Sequence, residues 1–165
     1  MDKLKKFIKE IYPYVIIIVL VLIFKMYYYS PIRVDGTSMS KTLINGDIMI
    51  LDIVSYRHNA IKRFDIVVVD DGEEYIIKRV IGLPGETVEY KDNQLFINGK
   101  KVEDKYPYGK TADFKVKVEK DKYYVLGDNR NNSLDSRYFG AFKKNKIIGK
   151  TNFTVFPFNR FGKKK

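Results

Sequence analysis

Three short segments hold residues whose chemistry depends on the company they keep. The first, residues 34–43, places Ser38 among small and turn-forming neighbours, Gly36-Thr37-Ser38-Met39-Ser40. The second, residues 75–86, carries Lys78 and Arg79 inside an apolar run. The third is Gly127-Asp128-Asn129-Arg130-Asn131-Asn132-Ser133-Leu134-Asp135-Ser136-Arg137-Tyr138-Phe139-Gly140. A serine hydroxyl becomes a nucleophile only when a base takes its proton. The chain has one histidine, His58, in the polar stretch Tyr56-Arg57-His58-Asn59-Ala60 with no acidic neighbour. That setting reads as a surface histidine. A neutral lysine amine can serve instead. At a reference pKa of about 10.4, only about one lysine in a thousand is neutral near pH 7.4. A useful base needs its pKa lowered by roughly 2 to 3 units, and burial among apolar groups does this. In a strand, Lys78 shares one face with Ile76 and Val80, which makes it the candidate base for Ser38.

Each segment has a plainer reading when taken singly. Serine beside glycine and threonine is common in ordinary loops. A lysine on an apolar face can snorkel at a sheet edge. An alternation of acids and arginines can be a solvated loop. The third segment argues against that last reading: glycine stands at both ends, and Asn129, Asn131, Asn132 and Ser133 can all bond backbone. It is read as an ordered polar loop that buttresses a site.

Composition narrows the class. The chain has 165 residues and no cysteine, so it has neither a disulfide framework nor a thiolate zinc site. Beyond an apolar N-terminal arm, enough chain remains for one domain with a real core. Thirteen Tyr and eleven Phe suit a β-rich domain. The net charge is +11, but the lysines are scattered apart from an N-terminal group and Lys163-Lys164-Lys165. No zinc-finger or helix-turn-helix spacing accompanies them, and no aromatic-basic RNA signature. The charge therefore points to an anionic membrane surface rather than nucleic acid. No metal or cofactor is expected.

The elements that must position these segments are legible in outline. Residues 1–10 contain Lys3, Lys5, Lys6 and Lys9, and residues 11–24 carry no charge. With Lys25 snorkelling and Tyr27-Tyr28-Tyr29 as an interfacial belt, the run to residue 29 gives about 28 Å of helix. Pro13 fits near its start. No small residues precede Ser30-Pro31 as a cleavage site requires. The expectation is an uncleaved single-pass anchor over residues 11–29, a cytoplasmic basic tail at 1–10, and an extracytoplasmic domain over 30–165. That domain reads as strands. They fall at 47–54, 65–70 turning at Asp71-Gly72 into 75–81, 87–90 paired with 94–97, 122–126 and 147–156. Residues 105–119 read as loop with a short exposed strand at 114–118. The fold class is mainly β and antiparallel, with a smaller hairpin-and-loop insertion over about residues 87–121.

Taken together, the segments resemble bacterial type I signal peptidase, the membrane-anchored Ser/Lys protease. The likeness spans the anchor and nearly all of the remaining chain. Ser38-Met39-Ser40-Lys41-Thr42-Leu43 is similar to the nucleophile box and Gly46-Asp47-Ile48-Met49-Ile50 to the box after it. Lys78-Arg79-Val80-Ile81-Gly82-Leu83-Pro84-Gly85 resembles the lysine box, and residues 127–140 the last box almost throughout. The resemblance implies Ser38 as nucleophile, Lys78 as general base, and Ser133 bonding and orienting the lysine amine. It implies ion pairs Asp135–Arg137 and Asp128–Arg79, and an oxyanion hole using the Ser38 N–H. Substrate would lie extended near Gly36, Met39, Tyr75 and Ile77. The reaction implied is removal of signal peptides from exported preproteins after a small residue, through an acyl-enzyme. Two positions depart from the family. Gly36 stands where some members carry a hydroxyl, and Lys41 where proline is usual, which puts the rigidity of that loop in question. Two rivals remain: another Ser/Lys protease, of the self-cleaving repressor kind, and a membrane-tethered module that binds an anionic polymer without chemistry.

Overall fold

The computed structural model describes residues 2–54 and 60–164, so His58 lies outside the described residues. Helix α1, Asp2–Tyr28, joins the basic tail and the apolar run into one 27-residue helix. The backbone runs on through residue 10 without a break because lysine, leucine and glutamate all propagate a helix well. Pro13 consequently lies inside the helix rather than near its start. Apolar side chains all round α1, including Ile17, Leu20 and Ile23, are exposed. Among the described residues, no helix is long and apolar enough to cross a membrane.

Everything after α1 is built on two antiparallel sheets. The larger contains β1 (Tyr29–Arg33), β2 (Ile48–Asp52), β3 (Ile66–Asp70) and β4 (Tyr75–Gly82). The smaller contains β5 (Thr87–Lys91), β6 (Gln94–Ile97), β7 (Lys100–Val102) and β8 (Phe114–Lys117). The chain then returns to the larger sheet as β9 (Lys122–Leu126), passes through the short helix α2 (Ser136–Phe139), and adds β10 (Phe142–Lys143), β11 (Ile147–Phe156) and β12 (Gly162–Lys163). The larger sheet has the order β1-β2-β11-β3-β4-β9-β10, with β12 beside β11, and the smaller β7-β6-β5-β8. The expected hairpins β3–β4 and β5–β6 are both present. β1 was not foreseen. Its Pro31 cannot donate to a ladder on both sides, and it sits where proline is tolerated, on the sheet edge.

β-branched residues explain the centre of the larger sheet. Ile66, Val67, Val68 and Val69 are all buried, as a strand covered on both faces requires. Val67, Val69, Val80, Val125 and Ile147 form one apolar cluster. A second, with Ile81, Val88, Tyr90, Leu95 and Leu126, welds the smaller sheet to β4 and β9. Gly82 permits that junction: a Cβ there would meet Val118 Cγ2 at 2.9 Å. A third cluster, Val34, Met39, Leu43, Met49 and Ile66, lies beneath the first segment.

Candidate active site

The loop carrying Ser38 is anchored by its apolar residues. Met39 and Leu43 are buried in the third cluster, so the residues between and before them must turn. Gly36 has φ +86°, a left-handed conformation that glycine adopts without strain. The Val34 N–H donates to Asp47 O at 2.8 Å and the Leu43 N–H to Met39 O at 2.8 Å. Asp47 is itself buried. Burial would raise its carboxyl, but the Arg160 guanidinium, 2.9 Å away, and the Ile44 N–H outweigh that and hold it below its ordinary value. The result is a rigid turn with Met39 facing the core and Ser38 half-buried at the surface of a cleft.

Lys78 reaches this turn from β4. It is only 4% exposed, and its amine donates to Ser38 Oγ at 2.9 Å. Its strand partner is Val67, and the strand's pleat puts it on the face of Ile76 and Val80. Burial pushes the amine below its ordinary pKa, while the carboxylates of Asp135, Glu74 and Asp71 pull the other way. A buried amine that loses its proton readily, in contact with a hydroxyl, can accept that hydroxyl's proton.

The third segment holds the Ser38 turn from the opposite side. The Asn129 N–H donates to Ser38 O at 2.9 Å, Asn129 Nδ2 to Thr37 O at 3.1 Å, and Asn132 Nδ2 to Thr37 Oγ1 at 2.7 Å. Asp135 caps α2, accepting from the Arg137 N–H, and receives Arg137 Nε at 2.8 Å and the Gly127 N–H at 3.0 Å. Arg79 and Asp128 form a bidentate pair at 2.8 and 2.7 Å, both almost fully buried. The Ser38 N–H donates to no group among the described residues. The Gly36 N–H is taken by Asn45 Oδ1 at 3.1 Å.

Ser133 corrects the reading from sequence. Its hydroxyl does not bond Lys78; Oγ is buried and has no hydrogen-bond partner among the described residues. The lysine amine is turned to Ser38, and the Ser133 side chain packs over Gly127 beside the Ser38 carbonyl. Gly36, Met39, Tyr75 and Ile77 do line one cleft with Ser38 and Lys78, a space of about 570 Å³. Among the described residues no cluster of His, Asp and Glu could hold a metal ion.

Several supporting residues were not foreseen. Thr42 Oγ1 donates to Asp128 Oδ2 at 2.6 Å, tying the nucleophile box to the last box. Arg130 is buried and donates to Gly127 O, Thr111 Oγ1, Tyr90 Oη and Asp104 Oδ2. The Lys41 ammonium sits over the Tyr108 ring, 4.4 Å from its centroid, and Lys41 is not among the charges that move the Lys78 pKa. Thr42, Arg130 and Lys41 gave a sequence signal, by standing inside the matched boxes, Lys41 as a departure from the usual proline. Asp104, Tyr108 and Arg160 lie far along the chain from what they hold.

Residues 4–156 match the family "Signal peptidase, peptidase S26". The chain is 42% identical to signal peptidase I of Bacillus amyloliquefaciens, over 92% of this chain and 89% of that one. It is 41% identical to signal peptidase I S of Bacillus subtilis strain 168, over 90% and 89%. A crystal structure of a signal peptidase I from Enterococcus faecalis V583 superposes with a TM-score of 0.52 at 38% identity, covering 56% of this chain and 97% of that one. Similarity at this level over nine-tenths of the length is a statement about the whole protein, catalytic face included: the chain belongs to the signal peptidase family, peptidase S26, and its activity is that of signal peptidase I.

Proposed function

We propose that this serine peptidase removes signal peptides from exported preproteins with Ser38 as nucleophile and Lys78 as general base. The observation that carries the assignment is the 2.9 Å approach of a buried lysine amine to Ser38 Oγ. In the first step Lys78 Nζ takes the Ser38 proton as Oγ bonds the scissile carbonyl carbon. The oxyanion that forms faces the Ser38 N–H. Collapse breaks the C–N bond, and the Lys78 ammonium returns its proton to the departing amine. Water then repeats the sequence on the ester, releasing a carboxylate and restoring Ser38.

Substrate binds as an added strand. β9 pairs with β4 only at Arg79, Val80 and Gly82, so the edge of β4 from Tyr75 to Lys78 is left open along the cleft. An extended peptide laid there is held by main-chain bonds, with side chains entering alternate pockets. Buried Met39 and half-buried Ile77 line the cleft beside Ser38, leaving room for alanine, glycine or serine before the cut.

The reaction takes place at a membrane, with α1 as anchor. The uncharged run continues through residue 24, the side chains of residues 11–23 are exposed all round, and the basic residues at its start set a cytoplasmic N-terminus. Phe156, Phe158 and Phe161 are exposed beside Arg160 and Lys163, a composition suited to an anionic lipid surface. The test is incubation of the detergent-solubilised chain with a preprotein and mass measurement of the products. One cut after an alanine, absent with phenylalanine at that position, is the expected result; binding without cleavage would favour a tethered module with no chemistry. Protease added to intact spheroplasts should digest the chain beyond Ser30 and spare its N-terminus.

A further inference from the structure

Between β7 and β8, residues 103–113 leave the smaller sheet and cross to the catalytic face. Two tyrosines of this excursion each cover a cation. Tyr106 lies under the Arg79 guanidinium, 3.7 Å from Cζ to ring centroid, and packs against Phe64 at 5.3 Å between centroids. Tyr108 lies under the Lys41 ammonium at 4.4 Å. Arg79 directly follows the base, and Lys41 is three residues beyond the nucleophile. The excursion is fixed near both ends by one buried side chain: Arg130 donates to Asp104 Oδ2 at 2.7 Å and to Thr111 Oγ1 at 2.9 Å. Its middle is fixed by backbone. Tyr108 bridges Asn129 in parallel, its N–H donates to Asp128 O, and its carbonyl accepts from the Arg130 N–H at 3.0 Å. The next link is the bond from the Asn129 N–H to Ser38 O.

Lys41 has φ +77°, a conformation that carries strain for a residue with a side chain and is closed to proline. Such a residue persists where its surroundings over-determine it. We infer that Tyr106-Pro107-Tyr108 is a positioning strap, which sets the approach of Ser38 to Lys78 by stacking under Lys41 and Arg79. The inference rests on the Ser38–Lys78 reading for its consequence in turnover, and on geometry alone for its effect on the loop. Cation–π attraction comes from the ring face and not from the hydroxyl. Phenylalanine must therefore replace either tyrosine, leucine must not, and Lys41→Arg must replace Lys41 where Lys41→Met does not.

The experiment uses the detergent-solubilised full chain with two readouts. One is kcat and KM on a peptide cut after alanine. The other is amide hydrogen exchange over residues 37–43, which needs no substrate. Tyr106→Leu, Tyr108→Leu and Lys41→Met are expected to lower kcat about 10- to 100-fold with KM little changed, and to speed exchange. Tyr106→Phe, Tyr108→Phe and Lys41→Arg should match wild type in both. Lys41 and Tyr108 are exposed, so those variants keep the core and its thermal midpoint. Leucine and methionine variants that turn over and exchange like wild type would overturn the strap, and so would phenylalanine variants as impaired as leucine ones. Failure of the wild type to cut any preprotein would instead remove the protease reading, and the exchange result would still decide the strap.

Discussion

The Asn129 N–H and the Ser38 carbonyl are 2.9 Å apart, and this bond, with those of the Asn129 and Asn132 side chains to Thr37, holds the last box against the Ser38 turn. The approach is close enough to dictate the residue at position 127. A Cβ on Gly127 would fall 2.6 Å from Ser38 O and 2.6 Å from Ser133 Cβ, although its φ needs no glycine. Gly127→Ala must therefore push the two loops apart. The expected result is a kcat loss of about 100-fold with only a modest fall in thermal midpoint, since the loops lie at the surface of the core. Steady-state kinetics beside a melting curve checks it; wild-type turnover would mean the loops are not coupled.

The dyad predicts a paired outcome in activity and stability. Ser38→Ala and Lys78→Met should each lower kcat by at least about 1,000-fold, and the double variant should be no worse than either. Lys78→Met should also raise stability at neutral pH. The folded-state pKa of Lys78 is depressed, so the unfolded chain binds more protons between that value and the ordinary one. Stability therefore rises with pH through that window and is lowest below it, where a buried charge is forced on the fold. Urea unfolding at several pH values would check this, and a Lys78→Met variant less stable than wild type would contradict it.

Ser133 separates a functional from a structural role. Its Oγ is buried without a partner, so Ser133→Ala removes an unsatisfied group and should leave stability unchanged or improved. If the hydroxyl turns to the lysine during turnover, kcat should still fall about 10- to 1,000-fold. A variant with full activity would make Ser133 a packing residue.

Neither Ser38 nor Lys78 was legible from its own segment, since a serine among small residues and a lysine on an apolar strand each have a plainer reading; it was the likeness of the three segments together to the signal peptidase boxes that singled them out. The strands of β3, β4 and β11 followed from their β-branched runs. What was hidden depends on contacts between distant residues. Asp47 finds Arg160 and Thr42 finds Asp128 across most of the chain, and no local pattern records either. The Tyr106–Tyr108 excursion looked like loop because its order comes from cations on other segments, not from periodicity. β1 was masked by Pro31, and Ser133 shows that the right segment can still carry a wrong bond.

The Arg79–Asp128 pair should behave as a buried charge pair. Each residue is about 1% exposed or less, and Thr42 and Phe64 O also bond the pair. Arg79→Met or Asp128→Asn alone should cost about 3 to 5 kcal/mol, because the partner is left buried and uncompensated. Replacing both with apolar residues of similar volume should cost less than the two singles added. Chemical denaturation of the wild type, the two single variants and the double variant measures this directly.

The pH profile offers the sharpest test of how the base is tuned. With Lys78 as the proposed base its neutral form is the active one, so kcat/KM should climb as pH rises through its pKa. Burial lowers that pKa, and Asp135, Glu74 and Asp71 hold it up by stabilising the ammonium. Asp135 is bound by Arg137, and Asp71 is occupied with the N–H groups of Glu73 and Glu74. Glu74 lines the cleft and its carboxylate accepts no hydrogen bond among the described residues, so it can be changed without breaking a loop. Glu74→Gln removes a charge that favours ammonium. The Lys78 pKa should then fall further, and the acidic limb of kcat/KM should move to lower pH. Salt screens the wild-type carboxylate, so raising ionic strength should move the wild-type limb toward the variant's and narrow the gap. Profiles of both proteins at low and high salt decide the matter. Limbs that coincide at low salt would show that Glu74 exerts no hold on the base, and a limb moving upward in the variant would reverse the sign of the argument.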